Sequence, residues 1–423
     1  MGGDLVKVVT GVRRCGKSFL LFNLFRDYLL GSGVKESHII GIALDDEENK
    51  PLRNPIALAE HIRRRLGRLK GLKYLFIDEI QLCYKVLPQG LDLSRVAKED
   101  RPSCYVTFYD VLNEFRKRKD VDVYVTGSNS KMLSSDIATE FRGRSDEVRL
   151  HPLSFVEYMQ VSGKEKQESL EEYLVWGGLP AVVLEPERRR KEHILKRLFE
   201  RIYIKDIVER RKLHDASVVC AVLDVLSSAV GSLTNPNKLV NTLSSQAGLR
   251  TTNRTLTKYL GYLEDAFLFA KAERWDVRGK KFLDFPCKYY AEDTGLRNAR
   301  LNFRQQEITH IMENVIYDEL RSRDYLVDVG LVECREMRDG KQEFIQYEVD
   351  FVVTNGIDKY YIQSAYALQN DGKQQQELNP LRKIGDSFQK IVIQGDDIAS
   401  YTNDDGIIFM GLHQFLMNSE ILK

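Results

Sequence analysis

The chain has 423 residues, which is more than one ordinary domain of roughly 100–200 residues and predicts several hydrophobic cores. Hydrophobic residues make up 43% and charged residues 30% of the composition, which excludes a mainly disordered or fibrous protein. Because 63 Lys and Arg face 62 Asp and Glu, the formal net charge is only +1. No global field would therefore hold the protein on nucleic acid or an acidic membrane, and such binding would need local basic patches.

The six cysteines are spread along the chain without the close pairs that zinc or redox sites need, which favours a reducing compartment. No apolar run approaches the roughly 18 residues of a membrane helix. The first residues, MGGD, also lack the pattern of a signal peptide. We therefore expect a soluble, cytoplasmic protein with no membrane partner.

The first 150 residues alternate short β-branched runs with helical stretches. Strands separated by helices are typical of a parallel sheet covered on both faces, so residues 1–153 are predicted to form an α/β domain. Residues 84–102 lack periodicity and are interpreted as a surface insertion. The predicted strands are Leu5–Thr10, His38–Leu44, Leu72–Asp78, Val121–Thr126 and Glu147–Leu150.

Three further regions are predicted after this domain. Residues 154–230 show the 3.6-residue periodicity of helices. Residues 231–298 contain a short helix, a turn, a longer helix and two extended stretches, an order that predicts a winged helix-turn-helix. Residues 299–423 open with a helix and continue with strand-like runs, which predicts a small α/β domain.

The sequence GVRRCGKS at 11–18 fits the phosphate-binding pattern G-x-x-x-x-G-K-[ST], between an apolar strand and an apolar helical start. Its glycines let backbone N–H groups close around phosphate oxygens, and its lysine reaches the β- and γ-phosphates. The alternative is an ordinary glycine turn into a helix. The predicted ATP-binding residues are Gly11, Arg13, Arg14, Cys15, Gly16, Lys17, Ser18 and Phe19, with Lys17 also catalytic and the Ser18 hydroxyl a ligand of Mg²⁺.

Residues 74–79, YLFIDE, form an apolar run that ends in two acids. In open α/β sheets, ligands bind at the carboxyl ends of the strands, so these acids are predicted to lie in the ligand crevice. We predict that Asp78 holds Mg²⁺ and that Glu79 is the general base for the attacking water. The alternative is a common polar strand end.

Polar residues also follow the next predicted strand, where Asn129 or Ser128 is a candidate to hold the lytic water or the γ-phosphate. Further on, FRGR places Arg142 and Arg144 shortly before the last strand. Either arginine is a candidate to stabilise γ-phosphate charge, in the same chain or across a subunit interface. The alternative for Ser128 and Asn129 is an ordinary polar turn. The alternative for the two arginines is that they are surface residues at the end of a helix.

With these motifs together, the chain resembles the bacterial and archaeal AAA+ type ATPases that carry a winged-helix and nuclease-like C-terminal region of unknown function. The resemblance rests on GVRRCGKS, YLFIDEIQ, VTGSNS, FRGR, HPLSFVEY, WGGLP at 176–180 and EVDFVV at 348–353. It implies a P-loop ATPase with a parallel sheet, ATP and Mg²⁺ as cofactors, and ATP hydrolysis. In these relatives a longer segment precedes the loop and helps to cover the adenine. The resemblance therefore implies either that Met1 is a late start or that another element of this chain covers the adenine.

The resemblance extends to the PD-(D/E)XK nuclease fold at the C-terminus. Glu313 and Asp350 match its first two acids. At its third motif, Gln363 replaces an acid and Ala365 replaces a lysine. Losing a metal carboxylate and a cation leaves little means to cleave DNA, so residues 299–423 are predicted to be nuclease-like but inactive.

Basic residues are concentrated in two stretches, 61–68 and 185–212, and in the predicted winged helix. The winged helix is a candidate for weak, salt-sensitive DNA binding. The leading hypothesis is an Mg-dependent ATPase switch that acts on DNA. The alternatives are a nucleotide-dependent scaffold for a protein partner or homo-oligomer, without nucleic acid, and a metal-dependent nuclease. The winged-helix candidates for phosphate contacts are Arg250, Arg254, Lys258, Lys280 and Lys281.

Overall fold

The computed structural model describes residues 5–67, 69–127, 144–204, 207–208, 213, 216–249, 251–305, 307–338, 341–368 and 371–422. It divides the chain into two units. The first comprises Met1–Leu150 with Asp265–Phe267, and the second comprises His151–Glu264 with Leu268–Lys423. Among the described residues, no helix has both the length and the apolar character of a membrane span.

The first unit is built on a five-stranded sheet in the order β2-β3-β4-β1-β5. All four neighbouring pairs are parallel, which confirms the predicted parallel α/β sheet. The three central strands are mostly buried, as their β-branched runs predict. The strands are β1 (Val6–Thr10), β2 (Ile39–Ala43), β3 (Lys73–Asp78), β4 (Val121–Thr126) and β5 (Ser145–Arg149).

Two of the three longer helices of this unit begin at side-chain caps. Asn54 begins α2 by accepting hydrogen bonds from the N–H groups of Ile56 and Ala57. Thr107 and Asp110 form a capping box at the start of α3. Helix α1 begins as Lys17–Phe19, continues with π-helical hydrogen bonding over Leu20–Phe25 and ends as Arg26–Gly31; α2 is Pro55–Leu66 and α3 is Phe108–Arg116.

An aromatic cluster holds α1 against the sheet. Phe25 of α1 lies 5.6 Å from the ring of Phe76 on β3 and 4.9 Å from the ring of Tyr124 on β4, measured between centroids. Phe76 and Tyr124 also meet edge to face at 5.5 Å. Such pairs add to the free energy gained by burying the rings. The segment between β1 and α1 is therefore fixed at both ends.

The second unit begins with helices and ends with a large sheet. Its first helices are α4 (Phe155–Ser162), α5 (Lys166–Trp176), α6 (Pro180–Val183), α7 (Arg188–Arg197), α8 (Ser217–Ser228), α9 (Pro236–Ala247) and α10 (Asn253–Asp265). Its later helices are α11 (Thr294–Arg300), α12 (Ile308–Ser322), α13 (Asp371–Arg382) and α14 (Leu412–Met417).

Eight strands of the second unit form one sheet in the order β12-β13-β11-β10-β9-β8-β6-β7. The predicted helix, helix and hairpin over 231–298 are present as α9, α10 and β6–β7. However, β6 pairs in parallel with β8, so the hairpin shares its sheet with the following strands and does not stand apart from residues 299–423. The strands are β6 (Phe269–Asp276), β7 (Lys281–Ala291), β8 (Leu326–Arg338), β9 (Lys341–Asn355), β10 (Asp358–Ala365), β11 (Gln389–Gln394), β12 (Tyr401–Thr402) and β13 (Ile408–Gly411).

The WGGLP motif fixes the backbone around a buried carboxylate. The N–H of Gly178 donates to Asp293 Oδ2 at 2.8 Å, and the Gly178 carbonyl accepts from the N–H of Leu153 at 2.8 Å. A Cβ on Gly177 would lie 2.3 Å from Asp293 Oδ2, and one on Gly178 would lie 2.2 Å from the Leu153 carbonyl oxygen. Both glycines are therefore required by close packing.

We expect that Phe76→Ala lowers the free energy of unfolding of the first unit by about 3–5 kcal/mol, because it leaves a cavity under α1. Hydrogen exchange of β1, β3 and β4 amides, followed by mass spectrometry, measures this locally. The control is Leu24→Ala on the outer face of α1, where Leu24 is 55% exposed. Equal protection in both variants would contradict the importance of the aromatic cluster.

Candidate nucleotide site

The loop between β1 and α1 turns through two glycines with positive φ. Gly11 has φ +135° and Gly16 has φ +106°, values that L side chains rarely adopt. A Cβ on Gly11 would lie 2.0 Å from the carbonyl oxygen of Leu150. A Cβ on Gly16 would meet no atom within 4 Å, so open space faces this part of the loop.

Lys17 is the first residue of α1 and only 5% exposed. Its Nζ donates to the carbonyl oxygens of Gly11 and Val12, each at 3.0 Å. Through these hydrogen bonds the side chain folds back over the loop, and the ammonium group is held against the loop backbone. The predicted phosphate-binding lysine therefore lies at the loop itself.

The remaining loop residues divide into buried and exposed positions. Cys15 is buried, and its thiol donates to the Leu150 carbonyl oxygen at 3.4 Å. Arg13 is half-buried, whereas Arg14 and Ser18 are exposed. Phe19, with 57% of its surface exposed, follows at the start of α1.

Asp78 ends β3 at the same sheet edge as the loop, because β4 lies between β1 and β3 and all three strands are parallel. Asp78 is 4% exposed and accepts a hydrogen bond at Oδ1 from the hydroxyl of Thr126. The backbone N–H of Glu79 donates to Thr126 Oγ1 at 3.1 Å and lies 3.2 Å from Asp78 Oδ1. Thr126 thus ties together the ends of β3 and β4.

Glu79 has a left-handed backbone with φ +51°, which is uncommon for a residue with a side chain. Burial and then the charge of Asp78 raise the pKa of Glu79 above its ordinary value. The charges of Lys17 and Arg13 act in the opposite direction, as does the hydrogen bond from Gln81 Nε2 to Glu79 Oε2. Glu79 is therefore a partly desolvated carboxyl group whose affinity for a proton is increased.

These groups match the chemistry of a nucleotide with Mg²⁺. The open side of Gly16 leaves room against the loop backbone, and the Lys17 ammonium supplies a positive charge for phosphate oxygens. The Ser18 hydroxyl and the Asp78 carboxylate are oxygen ligands of the kind Mg²⁺ prefers. The residues present therefore fit ATP and Mg²⁺.

Of the four remaining candidates for the site, the structure describes only Arg144, and it does not bring this residue to the same edge. Ser128, Asn129 and Arg142 lie outside the described residues. Arg144 is exposed, and its carbonyl oxygen accepts from the N–H of Val6, at the start of β1. Its backbone is thus at the opposite edge of the sheet from the loop. A catalytic role for either arginine stays a prediction.

Sequence reasoning missed two residues of the site. Thr126 was assigned only to a strand, and Gln81 was assigned no role. The available signal was its position, because Thr126 ends the strand that precedes Ser128 and Asn129, the candidates to hold the lytic water or the γ-phosphate. Its contact with Asp78 depends on the pairing of β3 with β4, which the sequence pattern does not specify.

Two of the proposed basic contacts share one helix face in the second unit. Arg254 and Lys258 are four residues apart on α10 and both exposed. Lys280 and Lys281 are exposed at the β6–β7 turn. Arg250 lies outside the described residues.

Comparisons with known proteins are consistent with a phosphate-binding loop on a parallel sheet. Residues 4–159 match the family model described as AAA domain, and residues 167–307 match a domain of unknown function, DUF8612. An uncharacterized protein of Haemophilus influenzae is 32% identical over 409 residues, covering 96% of this chain and 92% of its own. This chain belongs to the same family as that protein. An uncharacterized Methanocaldococcus jannaschii protein is 28% identical, covering 88% of this chain and 77% of its own.

The AAA domain confirms the predicted P-loop ATPase fold, while the winged-helix and nuclease-like assignments stay predictions. Solved structures show only distant likeness. The Aeropyrum pernix ORC1 protein in complex with DNA is 14% identical, covering 70% of this chain and 86% of its own, with a TM-score of 0.26. Protein VC1899 of Vibrio cholerae is 11% identical, covering 90% and 96%, with a TM-score of 0.20. Scores this low support no conclusion about this chain.

We expect that Gly11→Ala abolishes nucleotide binding by the AAA domain, because its Cβ cannot fit beside the Leu150 carbonyl group without moving the loop. Gly33→Ala is the matched control, since Gly33 also has a positive φ, +88°, but faces open space. That control loses about 1–2 kcal/mol of stability from backbone strain and keeps binding. Titration with a fluorescent ATP analogue distinguishes the two, and equal affinities would refute the packing argument.

Proposed function

We propose that the AAA domain binds ATP with Mg²⁺ and hydrolyses it. The observation that carries the proposal is the meeting, at one sheet edge, of the Lys17 ammonium with the Asp78 and Glu79 carboxyl groups. A cation that binds phosphate and a base that accepts a proton from water are both needed for phosphoryl transfer to water. Among the described residues, these groups lie together at the predicted loop.

Lys17 and the loop would bind the phosphates, with the ammonium already held against the loop by two carbonyl oxygens. Ser18 and Asp78 would hold Mg²⁺, which, when bound, neutralises charge that develops on the phosphate oxygens. The Thr126 hydroxyl orients Asp78 through its bond to Oδ1. The site is thus preorganised for a charged ligand, as electrostatic catalysis requires.

Glu79 would accept the proton of the attacking water at a carboxylate oxygen. Its raised pKa, which burial causes first of all, makes it a stronger base than an exposed glutamate. Its backbone N–H is fixed by Thr126, and its Oε2 accepts a hydrogen bond from Gln81. The group is therefore oriented as well as activated.

We also propose that nucleotide turnover is coupled to DNA bound weakly by the second unit. The supporting observation is the exposed pair Arg254 and Lys258 on one face of α10. With a net charge of +1, binding depends on these few contacts, so it is weak and decreases as salt is added.

Replacing Glu79 by Gln should retain ATP binding and lower turnover by about 10²–10⁴-fold, because the amide cannot accept the proton. Lys17→Ala should weaken binding itself. Steady-state phosphate release and nucleotide titration measure the two effects. Glu48→Gln, which changes an exposed carboxylate of the same unit, serves as the control. Full turnover in Glu79→Gln would refute the assignment of the base.

Turnover should fall as the pH decreases through the pKa of Glu79, because only the ionised carboxylate accepts a proton. In Gln81→Leu the hydrogen bond that lowers this pKa is lost, so the acid limb of the kcat profile should move to higher pH. The profiles of wild type and Gln81→Leu are compared at saturating ATP. A shift to lower pH would contradict the role of Gln81.

Adding DNA at low salt should raise ATP turnover several-fold in wild type and not in the double variant Arg254→Ala/Lys258→Ala, whose basal turnover is unchanged. Gel shifts in a salt series report binding separately. Turnover and gel shifts that are indifferent to DNA would refute the coupling to DNA but leave the ATPase proposal intact. A stable protein partner co-purifying with ATP-bound Glu79→Gln would then support a scaffold.

A further inference from the structure

A buried lysine in the second unit is surrounded by three carboxylates from two other elements. Lys288 Nζ on β7 lies 2.8 Å from Glu313 Oε1 on α12, 2.8 Å from Glu348 Oε1 on β9 and 3.2 Å from Asp350 Oδ1 on β9. We call these four residues the Lys288 cluster. The ammonium group donates hydrogen bonds to Glu313 Oε1 and Asp350 Oδ1 and forms an ion pair with Glu348.

The Lys288 cluster is closed to solvent on most sides. Lys288 is 2% exposed, Glu313 8% and Asp350 7%. A Cβ on Gly231 would lie 3.0 Å from Glu313 Oε2, so the backbone before α9 packs directly on this carboxylate. Glu348 is the most accessible member of the cluster, with 32% of its side chain exposed.

Further hydrogen bonds fix the carboxylates in place. The hydroxyl of Tyr290 donates to Glu313 Oε1 at 2.6 Å, and the N–H of Ser364 donates to Asp350 Oδ2 at 2.9 Å. The carboxylates therefore keep their positions around the ammonium group through contacts independent of Lys288. A buried charge cluster is tolerated only when its polar atoms are satisfied in this way.

The charge of Lys288 is maintained by its neighbours. Burial alone would lower the pKa of Lys288, but the charges of Glu313, Asp350 and Glu348 raise it well above its ordinary value. One positive charge thus offsets part of the negative charge of three acids. Without it, the buried carboxylates of Glu313 and Asp350 would face each other and the partly exposed Glu348 with no counter-charge, which is unfavourable.

Glu313 and Asp350 are the two acids that the sequence predicted as remnants of a nuclease metal site. The structure brings them together with Glu348, and Gln363 lies beside them, its Oε1 accepting from the Asp350 N–H at 3.3 Å. As the side chains are arranged, no group of three or more His, Cys, Asp or Glu in the described part of the chain could hold a metal ion.

We propose that the Lys288 ammonium group takes the place of a divalent cation among Glu313, Glu348 and Asp350, and that it joins β7, α12 and β9 as a permanent internal counter-charge. The second unit then needs no metal for its stability and does not use these carboxylates to cleave nucleic acid. Removal of the ammonium group exposes a latent divalent-cation site, with the carboxylate oxygens that Mn²⁺ and Mg²⁺ prefer.

The test compares full-length, nucleotide-free wild type, Lys288→Ala and Lys271→Ala in the presence of Mn²⁺. Lys271→Ala is the matched control, because Lys271 on β6 pairs with a single carboxylate, that of Glu273, at 3.0 Å. We expect Mn²⁺ to raise the unfolding temperature of Lys288→Ala by at least about 2 °C and to leave wild type and the control unchanged. Electron paramagnetic resonance of Mn²⁺ should show additional bound ion in Lys288→Ala alone.

If Lys288→Ala does not fold, the double variant Lys288→Ala/Glu313→Gln also removes one buried negative charge. This variant should recover folding, and its two remaining carboxylates should bind Mn²⁺ more weakly than three carboxylates would. The proposal is overturned if Mn²⁺ stabilises wild type as much as Lys288→Ala, or if a folded Lys288→Ala gains no Mn²⁺. It is also overturned if wild type cleaves DNA or RNA with Mn²⁺ and Asp350→Asn abolishes the cleavage. None of these outcomes bears on ATP hydrolysis by the AAA domain, so the two proposals are tested separately.

Discussion

Parallel pairing of β1, β4 and β3 is the constraint on which the nucleotide site depends. Because the three strands run in one direction, their carboxyl ends lie at one edge, and the residues that follow them meet there. Thr126, at the end of the middle strand, bonds to Asp78 at the end of its neighbour. The position of Lys17 follows from the same arrangement, since α1 is packed on the sheet by Phe25 and cannot move away.

Close backbone contact adds a second restriction at this edge. Gly11 approaches the Leu150 carbonyl group so closely that a side chain is excluded, and the Cys15 thiol bonds to the same oxygen. The end of β5 thus supports the loop from the side opposite β4. The loop conformation is determined by the sheet on both sides as well as by its own glycines.

Buried carboxyl groups of the two units have different neighbouring charges. At the candidate nucleotide site, the positive charges near Glu79 only partly compensate its burial and the charge of Asp78, so its pKa is raised. In the Lys288 cluster, one ammonium group forms ion pairs with three carboxylates. Burial also raises the pKa of Glu313, to about 7, but there a buried ammonium group lies against the carboxylate as its counter-charge.

The sequence by itself determined the parallel α/β domain, the phosphate loop and the acids at the end of β3, because glycine spacing, β-branched runs and strand ends are local signals. It also located Glu313 and Asp350 but assigned no role to Lys288, which is 25 residues from Glu313 and 62 from Asp350 along the chain. Only the tertiary structure joined the β6–β7 hairpin to the C-terminal sheet, placed Thr126 beside Asp78 and put Lys288 between three carboxylates. These features depend on strand register and on contacts distant in sequence, which no local pattern of residues specifies.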